Sequence, residues 1–272
     1  MSMKTTADEL YATFLIGDED VRLDVYHSLQ LLKHKPTLLS RQHLVSLKIS
    51  GNNSEWKPEQ EELVEGTNSQ TVDKEGMQQI LNLPTTDTSE LWIKDLKGSK
   101  KIETFQTLFA TTPNRYANIS LVRLRDMEQS INEIIARMYF LDGKISLTVI
   151  KCDVTSDILQ KIMILFTISR LTPRVHLCGC KASSIEDVVQ SIILWKFGQG
   201  EQTTSRAKEL IIDFTPSHWS ALLTALDDYA EHILMRGDQP FLCIEHVSHR
   251  STMELSLNGK ALHFDTYPHP EL

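Results

Sequence analysis

A histidine and two cysteines alternate along one short apolar run of this sequence. They are His176, Cys178 and Cys180, within the segment VHLCGC. On a β-strand these three side chains would share one face, while Val175 and Leu177 would share the other. Histidine and cysteine are common zinc ligands and nucleophiles, so the segment could provide a metal site, a redox pair or a catalytic thiol.

The spacing of the three residues argues against each of these sites. Alternate positions from His176 to Cys180 span about 13 Å at a rise of ~3.3 Å per residue, too far for one tetrahedral zinc ion. A Cys-X-X-Cys redox motif is absent. A second stretch, EHVSH from Glu245 to His249, lacks the HExxH order that zinc proteases place on a helix. We therefore expect no metal and no cofactor, and interpret the cysteines as small side chains that fill sheet positions.

The sequence also lacks the common catalytic motifs. It contains no GxSxG, Walker A or GxGxxG pattern, and the Gly-Gln-Gly at 198–200 is typical of a helix end. We therefore expect a protein that is not an enzyme. One alternative stays open, an α/β enzyme whose site assembles only in three dimensions from Cys178 or Cys180 with His176 and Asp213.

Composition restricts the class of protein further. The chain has 272 residues, a formal net charge of −8 and 41% hydrophobic residues, a balance typical of a globular protein. The negative charge argues against nucleic-acid binding, and the lysines between 94 and 101 are typical of a solvated helix end. Four cysteines are too few for a secreted disulfide framework, and neither a signal peptide nor a membrane-length apolar run is evident. We expect a cytoplasmic or nuclear protein that does not bind membranes.

Short β-prone runs alternate with amphipathic stretches along most of the chain. Seven such runs occur: 43–49, 91–96, 119–124, 145–150, 175–180, 209–214 and 241–246. From the second run onward they begin 26–34 residues apart, and apolar residues with helical spacing lie between them. Strand, helix and strand at this spacing predict an α/β fold of parallel strands joined by crossover helices.

Two architectures fit this alternation: a leucine-rich-repeat-like curved solenoid and a closed or doubly wound α/β sheet. We favour the solenoid because the units resemble one another and glycine is scarce, at 11 residues. No glycine-rich phosphate-binding turn follows any predicted strand.

Helix starts and the two ends of the chain give further predictions. Ser183 with Glu186 predicts a capping box, and Thr155 and Thr215-Pro216 predict two more helix starts. We assign residues 1–40 to a helical N-terminal segment and residues 41–272 to a repeat-like α/β interaction domain. Within the latter, residues 51–70 are a polar, exposed insertion. The C-terminal region, with its Asn258-Gly259 turn, is a β-hairpin.

The outward side chains of the predicted parallel strands would line up in rows. A row of mixed small, apolar and polar residues differs from the continuous apolar rows of a sheet buried on both faces. Repeat proteins commonly bind partners over such a surface. We predict that the partner-binding residues are Ser120, Ser146, His176 and Ile211 in one row and Val122, Thr148, Cys178 and Asp213 in the next.

The order of features between residues 145 and 265 resembles the type 2 F-box-associated domain of nematode proteins. That family has a strand, a polar helix start, an apolar helix ending in tryptophan and glycine, and a further L-x-I strand. The matching residues are Leu177, Ser183–Ser184, Val188 to Leu194, Trp195, Gly198 and Leu210–Ile212. The closing SLNGKALHFD is similar to the family's last strand pair.

The resemblance implies a role in protein recognition. In such proteins an N-terminal F-box binds the Skp1 adaptor of a cullin-containing ubiquitin ligase, and the associated domain recognises the substrate. The resemblance therefore implies a non-enzymatic interaction module, a substrate-recognition subunit of an SCF-type ligase. An F-box opens near a Leu-Pro that residues 6–45 lack, so residues 1–40 would be a degenerate F-box at most.

Overall fold

The computed structural model describes residues 9–18, 20–27, 30–31, 43–51, 70–71, 73–110, 116–139, 143–167, 171–180, 184–198, 207–230, 232–236, 238–248 and 251–269. The chain divides into two compact units, Met1–Met127 and Glu128–Leu272. The predicted domain boundary at residue 40 lies outside the described residues, as does most of the predicted insertion, residues 52–69.

The first unit is a mixed sheet with two helices. Its strands are β1 (Glu9–Ile16), β2 (Val21–His27), β3 (Gln30–Leu31), β4 (His43–Ser50), β5 (Gln70–Thr71), β6 (Thr85–Lys94) and β7 (Asn118–Val122). Its helices are α1 (Lys74–Leu81) and α2 (Ser99–Ala110). The strand order is β7-β6-β4-β1-β2-β3, with β5 also paired to β2. Strands β1, β4, β6 and β7 run parallel, whereas β2 returns antiparallel to β1.

The prediction of a helical N-terminal segment is wrong, because the described residues at this end form strands β1 and β2. The helical interpretation rested on apolar residues three or four apart, such as Val21 and Val25. The same stretch also alternates with a period of two, since Val21 and Leu23 are apolar and Arg22 is charged. On β1 the alternation is buried as a strand requires, with Leu10 and Phe14 inaccessible to solvent.

The second unit is also a mixed sheet with helices. Its helices are α3 (Glu128–Met138), α4 (Ser156–Thr167), α5 (Ile185–Phe197) and α6 (Trp219–Ala225), with a short 3-10 turn at Pro216–His218. Its strands are β8 (Gly143–Ile150), β9 (Leu171–Cys178), β10 (Lys208–Asp213), β11 (His232–Arg236), β12 (Gln239–Glu245), β13 (Ser251–Asn258) and β14 (Ala261–Pro268). The strand order is β11-β12-β13-β14-β10-β9-β8.

Parallel pairing is confined to part of this second sheet. Strands β8, β9 and β10 are parallel, and β14 then pairs antiparallel with β10. The remaining strands β14, β13, β12 and β11 form an antiparallel meander. The α/β class is confirmed, and all seven predicted runs overlap strands, although both sheets are mixed rather than wholly parallel.

The predicted helix start and hairpin are each displaced by one residue. The N-cap of α5 is Ser184, whose hydroxyl accepts from the Asp187 N–H at 3.1 Å and donates to its carboxylate at 3.0 Å. Two successive serines fit the capping pattern in two registers, and Ser183 lies outside the described residues. The hairpin is confirmed, but Asn258 pairs with Ala261, so Gly259 and the next residue form its two-residue loop.

One backbone feature recurs at a constant interval. Asp95, Arg123, Lys151 and Gly179 directly follow strands β6, β7, β8 and β9, and each has a positive φ, between 53° and 64°. They are 28 residues apart in every case. The residue after three of them is buried: Leu96, Leu124 and Cys152. The repeat is therefore more regular than the predicted run starts, which had been set at unequal residues of each unit.

At one of these strand ends a charged pair joins neighbouring turns. Arg123 donates to both carboxylate oxygens of Asp95, at 2.5 and 2.7 Å. These hydrogen bonds from Arg123, helped by nearby lysine charges, hold the pKa of Asp95 below its usual 3.8. The Asp95 side chain is mostly shielded from solvent, which makes the pair stronger than an ordinary surface ion pair.

We expect Arg123→Met to lower the free energy of unfolding by about 1 kcal/mol at neutral pH. A lowered folded-state pKa gives stability that is present above the usual Asp value and lost as pH falls through the lowered one. The difference between variant and wild type should therefore shrink in acid. Urea titrations at several pH values measure this, with exposed Arg125→Met as the matched control. An undiminished difference at low pH would contradict the assignment.

Candidate partner-binding surface

The strands of the second unit bury one face of their sheet and leave the other accessible. Along β9, Val175 and Leu177 are buried, whereas His176 is half-buried and Cys178 is exposed. The same alternation continues on β8, β10, β12, β13 and β14. We call the accessible side the open face. Its central side chains are Ser146, Thr148, Ile150, Arg174, His176, Cys178, Glu209, Ile211, Asp213, Phe241, Cys243, Glu254, Ser256, His263 and Asp265.

The predicted rows of partner-binding residues are only partly aligned. His176 lies beside Ile211 as predicted, but its neighbour on β8 is Thr148, not Ser146. Likewise Cys178 lies beside Ile150 rather than Thr148. The error arose because the rows were aligned from run starts 30 residues apart, whereas equivalent positions on β8 and β9 are 28 residues apart.

The other predicted residues have different neighbours. Ser146 lies beside Arg174, and Arg174 beside Glu209. Ser120 and Val122 belong to the first unit, where they are half-buried on β7 and pair with Trp92 and Lys94 of β6.

Asp213 has a structural contact at the end of the parallel strands. Its carboxylate accepts a hydrogen bond from the Cys180 N–H at 2.9 Å. At the neighbouring turn the Lys151 N–H donates to the Cys178 carbonyl at 2.8 Å. The carboxylate thus takes the place of a carbonyl where β9 ends. This contact accounts for part of the Asp213 side chain, which sequence reasoning had assigned to partner binding alone.

The cysteine thiols are hydrogen-bonded to backbone carbonyls. The Cys152 thiol donates to Ile150 at 3.4 Å, and the Cys180 thiol to Val149 at 3.6 Å. Burial raises the pKa of Cys180 to about 11, and burial followed by the Asp213 charge raises the pKa of Cys178. Thiols with raised pKa values stay protonated at neutral pH, the opposite of an activated nucleophile. In the part of the chain that the structure describes, no group of three His, Cys, Asp or Glu side chains could hold a metal ion.

Three carboxylates lie side by side at the centre of the open face. Asp265 on β14 is directly opposite Glu209 on one side and Glu254 on the other. Glu209 is bound by Arg174 at 2.8 Å, and Glu254 by Arg236 at 2.8 Å. Burial, then the charge of Glu209, raises the pKa of Asp265. The open face is therefore acidic at its centre, with an arginine bound to each outer carboxylate.

Sequence reasoning missed this cluster. Glu254 and Asp265 occupy outward positions of the predicted hairpin, and that alternation was the available signal. Their proximity to Glu209 depends on the antiparallel pairing of β14 with β10, which joins segments distant in the sequence. No local pattern specifies such a pairing.

The histidine of the EHVSH stretch has a structural role. His246 is buried beside Trp195, with the two rings edge to face at 5.4 Å between centroids. Its Nε2–H donates to the Gly198 carbonyl at 3.1 Å, and its Nδ1 accepts from the Ser248 N–H at 3.0 Å. Both ring nitrogens are thus used by the backbone. The second histidine of the stretch, His249, lies outside the described residues.

Two global comparisons complete the description. Among the described residues, no helix is long and apolar enough to span a bilayer. Nothing known matches this chain, whether family models, curated proteins or solved structures are searched.

Proposed function

We propose that this chain is a non-enzymatic protein–protein interaction module whose partner binds across the open face. The observation that carries the proposal is the burial alternation of the second sheet. One side of each strand is packed, and the other presents half-buried polar and apolar side chains on six strands. Such mixed, accessible surfaces on regular scaffolds are where interaction proteins commonly bind. Thr148, His176 and Ile211, which are direct neighbours, would form one contact row.

We further propose that the repeated units form a leucine-rich-repeat-like curved solenoid. The constant interval of 28 residues between strand ends supports this, because leucine-rich repeats have periods of about 20–29 residues. The repeat pattern of that class also places Asn or Cys three residues after the last strand leucine. Cys152 and Cys180 stand three residues after Val149 and Leu177. This explains the cysteines as structural residues of the repeat.

The proposal extends to an SCF-type ubiquitin ligase in the cytoplasm or nucleus, with this chain as substrate receptor. It is supported by the resemblance of residues 145–265 to nematode F-box-associated domains. Strands β1 and β2 occupy part of the stretch where an F-box would be helical. Binding to Skp1 and a cullin is therefore the part of the proposal with the weaker basis, and it needs its own measurement.

We expect the double substitution Thr148→Asp, His176→Asp to weaken partner capture about tenfold or more, because two carboxylates would be added to one contact row. The measurement is affinity capture from the source cells with quantitative mass spectrometry. The matched control is Gln160→Asp, Gln190→Asp on the exposed helix surfaces.

Circular dichroism would establish that both double variants are folded. Equal capture by the two would contradict binding at the open face. Recovery of Skp1 and a cullin with the wild type and the control would support the ligase assignment. Their absence, with other proteins captured through the open face, would refute that assignment alone.

A further inference from the structure

Strand β11 forms one edge of the second sheet. It is hydrogen-bonded to β12 on one side, and no described strand pairs along its other side. The backbone N–H and C=O groups of an open edge are a template for another extended chain. Edges of this kind are therefore either protected or used.

The side chains of this edge are apolar and accessible. Ile233, Leu234 and Met235 are consecutive on β11 and are 50%, 43% and 61% exposed. Ile233 lies opposite buried Leu242, and Leu234 lies opposite Phe241. Because neighbouring residues of a strand point to opposite faces, apolar side chains are presented on both sides of the edge.

The edge lacks the usual protection against pairing. Natural edge strands commonly carry an outward lysine, a proline or a bulge. β11 pairs with β12 in continuous register, without a bulge. Its arginine, Arg236, donates to Glu254 on β13 at 2.8 Å and lies over the Phe241 ring at 4.9 Å. This charge is directed inward across the sheet and does not guard the edge.

We infer that β11 pairs antiparallel with β11 of a second copy of this chain, about a two-fold axis at Leu234. Directly opposite residues of such a pair share a face, so Ile233 would oppose Met235 of the second copy, and Leu234 would oppose itself. All three apolar side chains then face apolar side chains.

Neighbouring registers do not give this match. Centring on Ile233 places Met235 opposite Glu231, and centring on Met235 places Leu234 opposite Arg236. The strand is thus self-complementary in one register, which favours a second copy over an unrelated extended segment. The contact is short, so the dimer is weak, with a dissociation constant of roughly micromolar to millimolar order.

The test is sedimentation of the full chain from ~10 µM to ~500 µM, a range that covers such a weak dimer. The wild type should shift from monomer towards dimer as its concentration rises. Leu234→Lys places two like charges at the centre of the pair and should remain monomeric. Ile164→Lys, which is 44% exposed on α4, is the matched control and should associate like the wild type.

Each other result would overturn the inference. These are a wild type that stays monomeric over the whole range, a Leu234→Lys variant that associates unchanged, and a control that loses association equally. A monomer that instead pairs through β11 with an extended segment of another protein would also overturn self-pairing. Met235→Lys provides a second edge variant if thermal melting shows that Leu234→Lys is not folded. This test is independent of partner capture by the open face.

Discussion

His246→Phe is expected to lower the free energy of unfolding by about 2–4 kcal/mol. Phenylalanine keeps an aromatic ring against Trp195, so the packing contact survives the substitution. It cannot pair with the Gly198 carbonyl or the Ser248 N–H, which the imidazole satisfies in the wild type. Leaving a buried polar group without a partner costs about 1–3 kcal/mol each, and two groups are affected.

The same histidine predicts a pH dependence of stability. Burial disfavours the charged imidazole and lowers the pKa of His246 from its ordinary value of 6.5. Below 6.5 the unfolded chain therefore binds a proton that the folded chain does not. Stability from this residue is fully present above 6.5 and is lost as pH falls through the lowered value. The phenylalanine variant should lack this component.

Chemical denaturation at pH 7.5 and at pH 5.5 measures both effects. His263→Ala, on the half-buried open face, is the control and should keep the wild-type pH dependence. If the phenylalanine variant is as stable as the wild type at pH 7.5, the two backbone hydrogen bonds are not as important as their burial indicates. If the pH dependence persists in it, the dependence arises from other groups.

The sequence was most informative where a structure is specified locally. The run ISLTVI identified β8 because alternating apolar residues and β-branched side chains are properties of a single strand. The stripe Val188, Ile192 and Trp195 identified α5 for the same reason, since its buried face is read within one helix. Predictions of this kind need no knowledge of the neighbouring element.

Predictions failed where two periodicities competed. Val21, Leu23 and Val25 alternate, yet Val21 and Val25 also fit the i, i+4 spacing of a helix. The pairing of β1 with β2 and β4 decides the matter, and those partners are separated in the sequence. A short apolar segment with both patterns is therefore decided by tertiary contacts.

The candidate surface was predictable by face but not by register. Alternation placed Thr148 and His176 on the accessible side, which is a local property. Which residues are neighbours depends on register, and a shift of two residues keeps the face while changing every contact. The acidic centre, where Asp265 meets Glu209, required the pairing of β14 with β10. This long-range contact has no signature in either strand alone.

Gly51→Ala is expected to destabilise the first unit by about 2–3 kcal/mol, because the site has no room for a Cβ atom. A Cβ at Gly51 would lie 2.4 Å from the Asp95 carbonyl oxygen and 3.2 Å from the Leu96 Cα. Both are backbone atoms of the neighbouring strand-end turn, so neither can move aside as a flexible side chain would.

Two hydrogen bonds also prevent Gly51 from retreating. Its N–H donates to the Lys94 carbonyl at 3.1 Å, and its carbonyl accepts from the Lys101 ammonium at 2.9 Å. Relief of the clash would lengthen at least one of these bonds. The expected destabilisation therefore includes both steric strain and weakened pairing where β4 meets β6.

The matched control is Gly259→Ala in the C-terminal hairpin. Gly259 has a positive φ of 62°, but nothing lies within 4 Å of a Cβ built there. Its cost comes from the backbone conformation alone, about 1 kcal/mol. Urea denaturation should therefore rank Gly51→Ala well below Gly259→Ala in stability. Equal losses, or a greater loss at Gly259, would contradict the close approach of the turns after β4 and β6.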